Sequence, residues 1–161
     1  MGAQFNDAAI ADVFDRIISL AMASGRFDQV NQHEPKSSPG RGVTCAVWVQ
    51  RIRPIRSSGQ NAISGVLVLS ARIYTNFRSD PPDLIDPNAT AAATDLMGSL
   101  SGDFELGGVD GVRALDLLGA NGQAMEAQAG YIEIDRTYYR VMTITIPVII
   151  NDMWLVQSGA F

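Results

Sequence analysis

Val43-Thr44-Cys45-Ala46-Val47-Trp48-Val49-Gln50 and Gly65-Val66-Leu67-Val68-Leu69-Ser70-Ala71-Arg72-Ile73-Tyr74 are the two stretches whose reading decides the fold. In an extended chain successive side chains point to opposite faces. Val43, Cys45, Val47 and Val49 therefore share one face, and Trp48 points to the other. Leu67, Leu69, Ala71 and Ile73 share a face, with Val66 and Val68 opposite. These patterns predict strands over 43–52 and 63–74. The polar connection Arg53-Pro54-Ile55-Arg56-Ser57-Ser58-Gly59-Gln60-Asn61 joins them as a long hairpin. Its middle is apolar on both faces. One face is expected to pack on a helix; the other needs cover, from a second helix or from a neighbouring subunit.

Upstream, Ile10, Val13, Phe14, Ile17, Ile18 and Ala21 recur at three-and-four spacing and predict an amphipathic helix over 7–24. Asn6 or Asp7 can cap it, and Gly25 is placed to end it in the left-handed conformation. Residues 27–41 hold Pro35, Ser37, Ser38, Pro39 and Gly40, and read as a loop or irregular strand. Downstream, Asp86-Pro87 reads as a helix cap followed by proline at the first helical position, opening a helix over 87–101. Ala92, Leu96, Met97 and Leu100 form its apolar side, and Gly102 its stop. A glycine-rich turn (104–111), a short strand (112–118) and a C-terminal hairpin (127–134 and 138–150, turning at Asp135-Arg136-Thr137) follow, with residues 151–161 read as a tail. The order predicts a single α+β domain over residues 1–161: an antiparallel β-sheet with long hairpins and two amphipathic helices packed against it.

Composition narrows the function. The chain has 161 residues, 47% of them hydrophobic and 18% charged, with one cysteine, Cys45, and one histidine, His33. Low charge leaves apolar surface for other chains to cover. A net charge of −5 disfavours sequence-specific DNA binding but suits a surface past which DNA slides. Cys45 cannot form an internal disulfide, and its alternating apolar run makes it a small buried hydrophobe. The polar start Gly2-Ala3-Gln4-Phe5-Asn6-Asp7 shows no cleavable signal peptide, and no apolar run reaches the roughly 18 residues a membrane span needs. Synthesis in the cytoplasm and no membrane partner are the expectations.

Chemistry needs convergent groups, and few candidates present themselves. Asn88-Ala89-Thr90 matches a glycosylation acceptor but reads better as helix-start chemistry. Asp86, Asn88 and Thr90 have calcium-loop spacing, yet Ala91 stands where the turn needs glycine and Met97 where a glutamate should follow. Gly107, Gly108 and Gly111 lack the strand-to-helix setting of a phosphate cradle and read as a turn. His33 and Glu34 form a loop pair without a second histidine. Asp80, Asp83 and Asp86 read as a solvated acidic loop. Arg51, Arg53 and Arg56 concentrate positive charge at the hairpin end; the plain reading is solvation, the sharper one an electrostatic contact to an acidic neighbouring subunit. No catalytic, cofactor-binding or metal-binding residue is expected, so the chain reads as no enzyme and as needing no cofactor.

The element order, together with the two hairpin stretches quoted above, Ala129-Gly130-Tyr131-Ile132-Glu133-Ile134 and Tyr139-Arg140-Val141-Met142-Thr143-Ile144-Thr145-Ile146-Pro147, resembles the tail terminator (tail completion) proteins of long-tailed bacteriophages. The likeness runs over nearly the whole chain and rests on element order, length and strand texture. The long connection 53–61 and the glycine-rich region 104–119 depart from the pattern. The resemblance implies a hexameric ring at the head-proximal end of the tail tube. That ring stops tube polymerisation, meets head-completion or connector proteins, and lets double-stranded DNA through its lumen, within the neck of the virion. Under it, Trp48, Arg51, Arg53, Arg56, Val66, Val68 and Arg72 become candidate subunit or tube contacts. Asp80, Asp83 and Asp86 become candidate lumen-facing acids. The alternatives are a head–tail connector or tail tube subunit, a small-ligand-binding α+β domain, and an adaptor adding a peptide strand at a sheet edge, which Pro147 near the end of the last strand would oppose.

Overall fold

The computed structural model describes residues 4–5, 7–39, 42–55, 62–76 and 81–155. The chain runs β1 (Gln4–Phe5), α1 (Asp7–Ala23), β2 (Gln29–Asn31), β3 (Val43–Ile55), β4 (Ala62–Asn76), α2 (Ile85–Gly102), β5 (Val112–Leu115), β6 (Glu126–Ile134) and β7 (Thr137–Leu155). Two short 3-10 turns, Pro82–Leu84 and Leu106–Gly108, flank α2. This is the expected α+β fold, and no described helix is long and apolar enough to cross a membrane.

One sheet organises everything. Its strands lie in the order β2-β3-β4-β7, and the far side of β7 takes β6, β5 and β1 at successive levels. Every described pair is antiparallel except β2–β3, which is parallel, so the sheet is mixed rather than purely antiparallel. The hairpin β3–β4 forms as predicted, and its register puts Cys45 opposite Ile73 and Val47 opposite Ala71. A bulge between Val49 and Arg51 turns Arg51 and Arg53 to the side of Val68 and Val66.

The alternation read from sequence divides the side chains as expected. Cys45, Val47, Leu67, Leu69, Ala71 and Ile73 pack with Ile144, Ile146, Val148 and Ile150 of β7 into one core beneath both helices. Val13, Ile17 and Ala21 of α1, and Ala92, Ala93, Leu96 and Leu100 of α2, close that core from above. The alanines let α2 lie close to the strands. Each fully buried leucine contributes roughly 2–3 kcal/mol of transfer free energy. Both helices thus lie on the same face, so the second helix does not cover the opposite one as one of the two expectations had it.

Four further differences have local causes. Asp86 does not cap α2: the preceding 3-10 turn runs into the helix, Leu84 holds the cap position without a side-chain bond, and Pro87 falls within the first turn, where a missing N–H costs little. Residues 151–155 continue β7 rather than starting a tail, because Asp152 adopts a left-handed φ of 49° and its amide donates to Ser64 Oγ at 3.1 Å. The strand predicted over 112–118 ends at Leu115, where Asp116 begins a loop. Pro147 lies inside the central strand, paired with Val68, not near its end. Its carbonyl accepts from the Asp116 amide at 2.9 Å on the β5–β6 side, so its missing donor faces the same side. There β6 stops at the level of Thr145 and β5 starts at Val148, and the proline fills the gap.

Candidate functional site

The helix-free face of the sheet gathers most of the residues the sequence singled out. Trp48, Val66, Val68 and Arg72 alternate with core residues on β3 and β4, and the bulge adds Arg51 and Arg53. Arg56 and Asp80 lie outside the described residues. At the upper end of this face Val66 and Val68 are buried with Ile149, flanked by Ile55. Their cover comes from this chain, not from a neighbour.

The loop 116–124 crosses beside them. Buried Asp116 organises it: the amides of Gly119, Ala120 and Asn121 donate to the carboxylate at 3.0, 2.8 and 2.8 Å. Arg51 Nη2 donates to Gln123 Oε1 at 2.6 Å, and Arg53 Nη2 to the Asn121 carbonyl. Gly122, at φ 105°, lies so close that a Cβ there would stand 2.5 Å from Arg53 Nη2. The two arginines therefore hold their own chain's loop. Leu118, next to this fixed turn, is 94% exposed.

Lower on the same face lies a trough of about 490 Å³. Trp48, Gln50, Ser70, Arg72, Gln128 and Thr143, drawn from four adjacent strands, form much of its lining. The Arg72 guanidinium lies 5.3 Å from the Trp48 ring centre and donates Nε–H to Thr143 Oγ1 at 2.9 Å. Ser70 Oγ donates to Gln50 Oε1 at 3.2 Å. Glu34 stands on the rim, exposed. Below the trough, Tyr74 and Tyr139 meet edge to face at 6.0 Å, and Tyr139 shares a short hydrogen bond with Ser38. Burial pushes the Tyr74 phenol up, and Arg72 pulls weakly the other way.

The acidic candidates lie elsewhere. Asp86 accepts from Arg140 Nε at 2.9 Å on the helix side of the sheet, and Arg140 in turn covers the Tyr131 ring at 4.4 Å. Asp83 is exposed in the turn before α2. Asp86, Asn88 and Thr90 form part of α2, a helix rather than an ion-binding loop. Among the described residues no three His, Cys, Asp or Glu side chains come together as a metal-holding group. Gly107, Gly108 and Gly111 take left-handed φ values in a turn, as read.

Sequence reasoning found the face but missed its polar floor and its loop organiser. Thr143 and Thr145, alternating with Ile144 and Ile146, were the visible signal for the first. For Asp116 the signal was an acid just before a Gly-Ala-Asn-Gly turn.

No family model matches the chain, and no curated protein matches it. Among solved structures it is similar to a chain from an extracellular contractile injection system, the PVC sheath/tube terminator in its extended state. That match has 12% identity and a TM-score of 0.49, over 98% of this chain and 62% of the other. It is also similar to a chain of the virion of a native gene transfer agent particle, with 11% identity and a TM-score of 0.36 over 88% of this chain and 93% of the other. This chain therefore spans less than two thirds of the terminator chain's length. At these TM-scores neither likeness carries a functional assignment.

Proposed function

We propose that this chain is a structural, non-catalytic virion protein that assembles as a hexameric ring at the head-proximal end of a phage-type tail tube. In this reading the ring ends tube polymerisation, offers the surface that head-completion or connector proteins meet, and passes double-stranded DNA through its lumen. The observation that carries it is the one-sided architecture. Both helices cover one face of the sheet, while the other keeps an open polar trough. Large apolar side chains also stand exposed, including Leu118, Met22, Tyr131 and Tyr138. Surface of this kind is what copies of a chain bury when they assemble. The element order agrees with the terminator pattern read from the sequence.

Of the acids proposed for the lumen, Asp86 is paired with Arg140, and Asp83 is exposed in the turn before α2. The trough favours one second reading, a small-ligand site, because it joins an aromatic ring, a guanidinium, amides and hydroxyls. Negative-stain electron microscopy of the protein, alone and mixed with tail tubes, separates the readings. Rings, or caps at one tube end, are the expected result. Filaments would indicate a tube subunit. Compact monomers that leave tubes bare would sink the terminator reading and move the ligand reading forward.

A further inference from the structure

The trough and the turn before α2 have complementary chemistry. Arg72 is held by Trp48 and Thr143, and no carboxylate among the described residues pairs with it. Arg16, Arg26 and Arg140 have aspartate partners, and Arg51, Arg53 and Arg113 bond neutral oxygens of their own chain; among these Arg72 is the one that lines the trough. In a chain with 17 acidic and 12 basic residues, a pre-positioned guanidinium without a carboxylate is a place for one to bind.

A fitting carboxylate is displayed on the other side of the sheet. Pro81, Pro82, Asp83 and Leu84 are all exposed, and Leu84 is 48% so. Two consecutive prolines fix the backbone, so seating this turn costs little conformational entropy. Asp83 has no ion-pair partner among the described residues. The turn leads into α2 in the helix layer, whereas the trough opens on the helix-free face, so a copy cannot fill its own trough.

We propose that Pro82-Asp83-Leu84 of one copy seats in the trough of a second copy of this chain. The Asp83 carboxylate meets the Arg72 guanidinium, and Leu84 packs against Trp48 and Ile132. Turn and trough are different surfaces, so the contact is head to tail, and successive copies close into a ring if the rotation between them allows. Glu34 on the rim has the same sign as Asp83 and opposes the contact. This inference rests on the self-assembling reading above and adds the contact through which it occurs.

Sedimentation velocity over a concentration series tests it, using wild type, Asp83→Arg, Arg72→Glu, their equimolar mixture and Glu34→Gln. Wild type is expected to form a closed oligomer of the 17.3 kDa chain, and Glu34→Gln to form it at lower concentration. Each charge reversal alone should be monomeric, since like charges then meet at every junction. The mixture should regain the full-size species, since each mixed junction pairs opposite charges. Arg72 is partly buried, so its variant is checked for folding by circular dichroism; Asp83→Arg, on an exposed turn, tests the contact without that concern. Assembly unchanged in Asp83→Arg overturns the contact and leaves the ring standing. Loss in both variants without recovery in the mixture also overturns the pairing. A wild type that stays monomeric throughout overturns this contact, and the ring itself is then decided by whether the protein caps tube ends.

Discussion

Cys45 shows how a single position turns from sequence pattern to chemistry. It is fully buried beneath the helices, and burial pushes its thiol up from 9.0 to about 12. The reactive thiolate is therefore almost absent at neutral pH. A thiol reagent at pH 8 should leave the folded protein unlabelled and react within minutes once denaturant is added; rapid labelling of the native protein would contradict the burial. The linkage has a definite sign. The folded pKa is raised, so the contribution is fully present below about pH 9 and is lost as pH rises towards about 12. Cys45→Ala should flatten that alkaline limb in urea midpoints measured from pH 8 to 11. Gly122 is the second residue-scale case. Its φ of 105° strains any residue with a side chain, and a methyl group there would push the Arg53 guanidinium aside. Gly122→Ala should cost about 1–3 kcal/mol in urea unfolding. A neutral result would mean that neither the positive φ nor the Arg53 contact constrains this position.

Among the elements, the β6–β7 hairpin turns through Asp135 and Arg136, both left-handed at φ 52° and 64°. A two-residue turn of this shape favours glycine at its second position. Arg136→Gly should relieve roughly 1 kcal/mol of backbone cost and raise the urea midpoint; a lowered midpoint would show that the arginine makes a contact worth more than its strain. The loop 116–124 makes the opposite prediction. Its three amide bonds converge on one buried carboxylate, and bonds to charged groups contribute about 1.5–3 kcal/mol each. Asp116→Ala should lower stability by at least about 2 kcal/mol. Hydrogen exchange at Gly119, Ala120 and Asn121 should rise before the rest of the sheet. The helices illustrate what was readable locally. The apolar spacing of α1 and the stop at Gly25 were legible, whereas the true start of α2 was not, because the 3-10 turn Pro82–Leu84 runs into the helix and puts Leu84, not Asp86, at the cap.

The whole molecule depends on β4–β7, which joins Ala71 to Ile144 and Tyr74 to Val141. Pairing strands so far apart must precede most of the burial, and loop closure opposes it. Refolding should therefore take milliseconds to seconds in stopped-flow fluorescence of Trp48 and Trp154; microsecond folding would show that local structure leads. Leu69→Ala, at the fully buried centre of that pairing, should cost about 2–5 kcal/mol, more than any surface change.

The alternating strands, the two amphipathic helices and the side of the sheet taken by residues 43–49 and 66–73 were determined by the sequence alone, because a period of two or of 3.6 is written in adjacent residues; the bulge that moves Arg51 and Arg53 to the other face was not. Tertiary structure decided that both helices share one face and that β2 runs parallel to β3. It also decided that Pro147 fills a gap between neighbouring strands and that Arg51 and Arg53 hold a loop of their own chain. Those outcomes depend on pairings between residues tens of positions apart, each weak alone, and no local pattern states which of the competing partners wins.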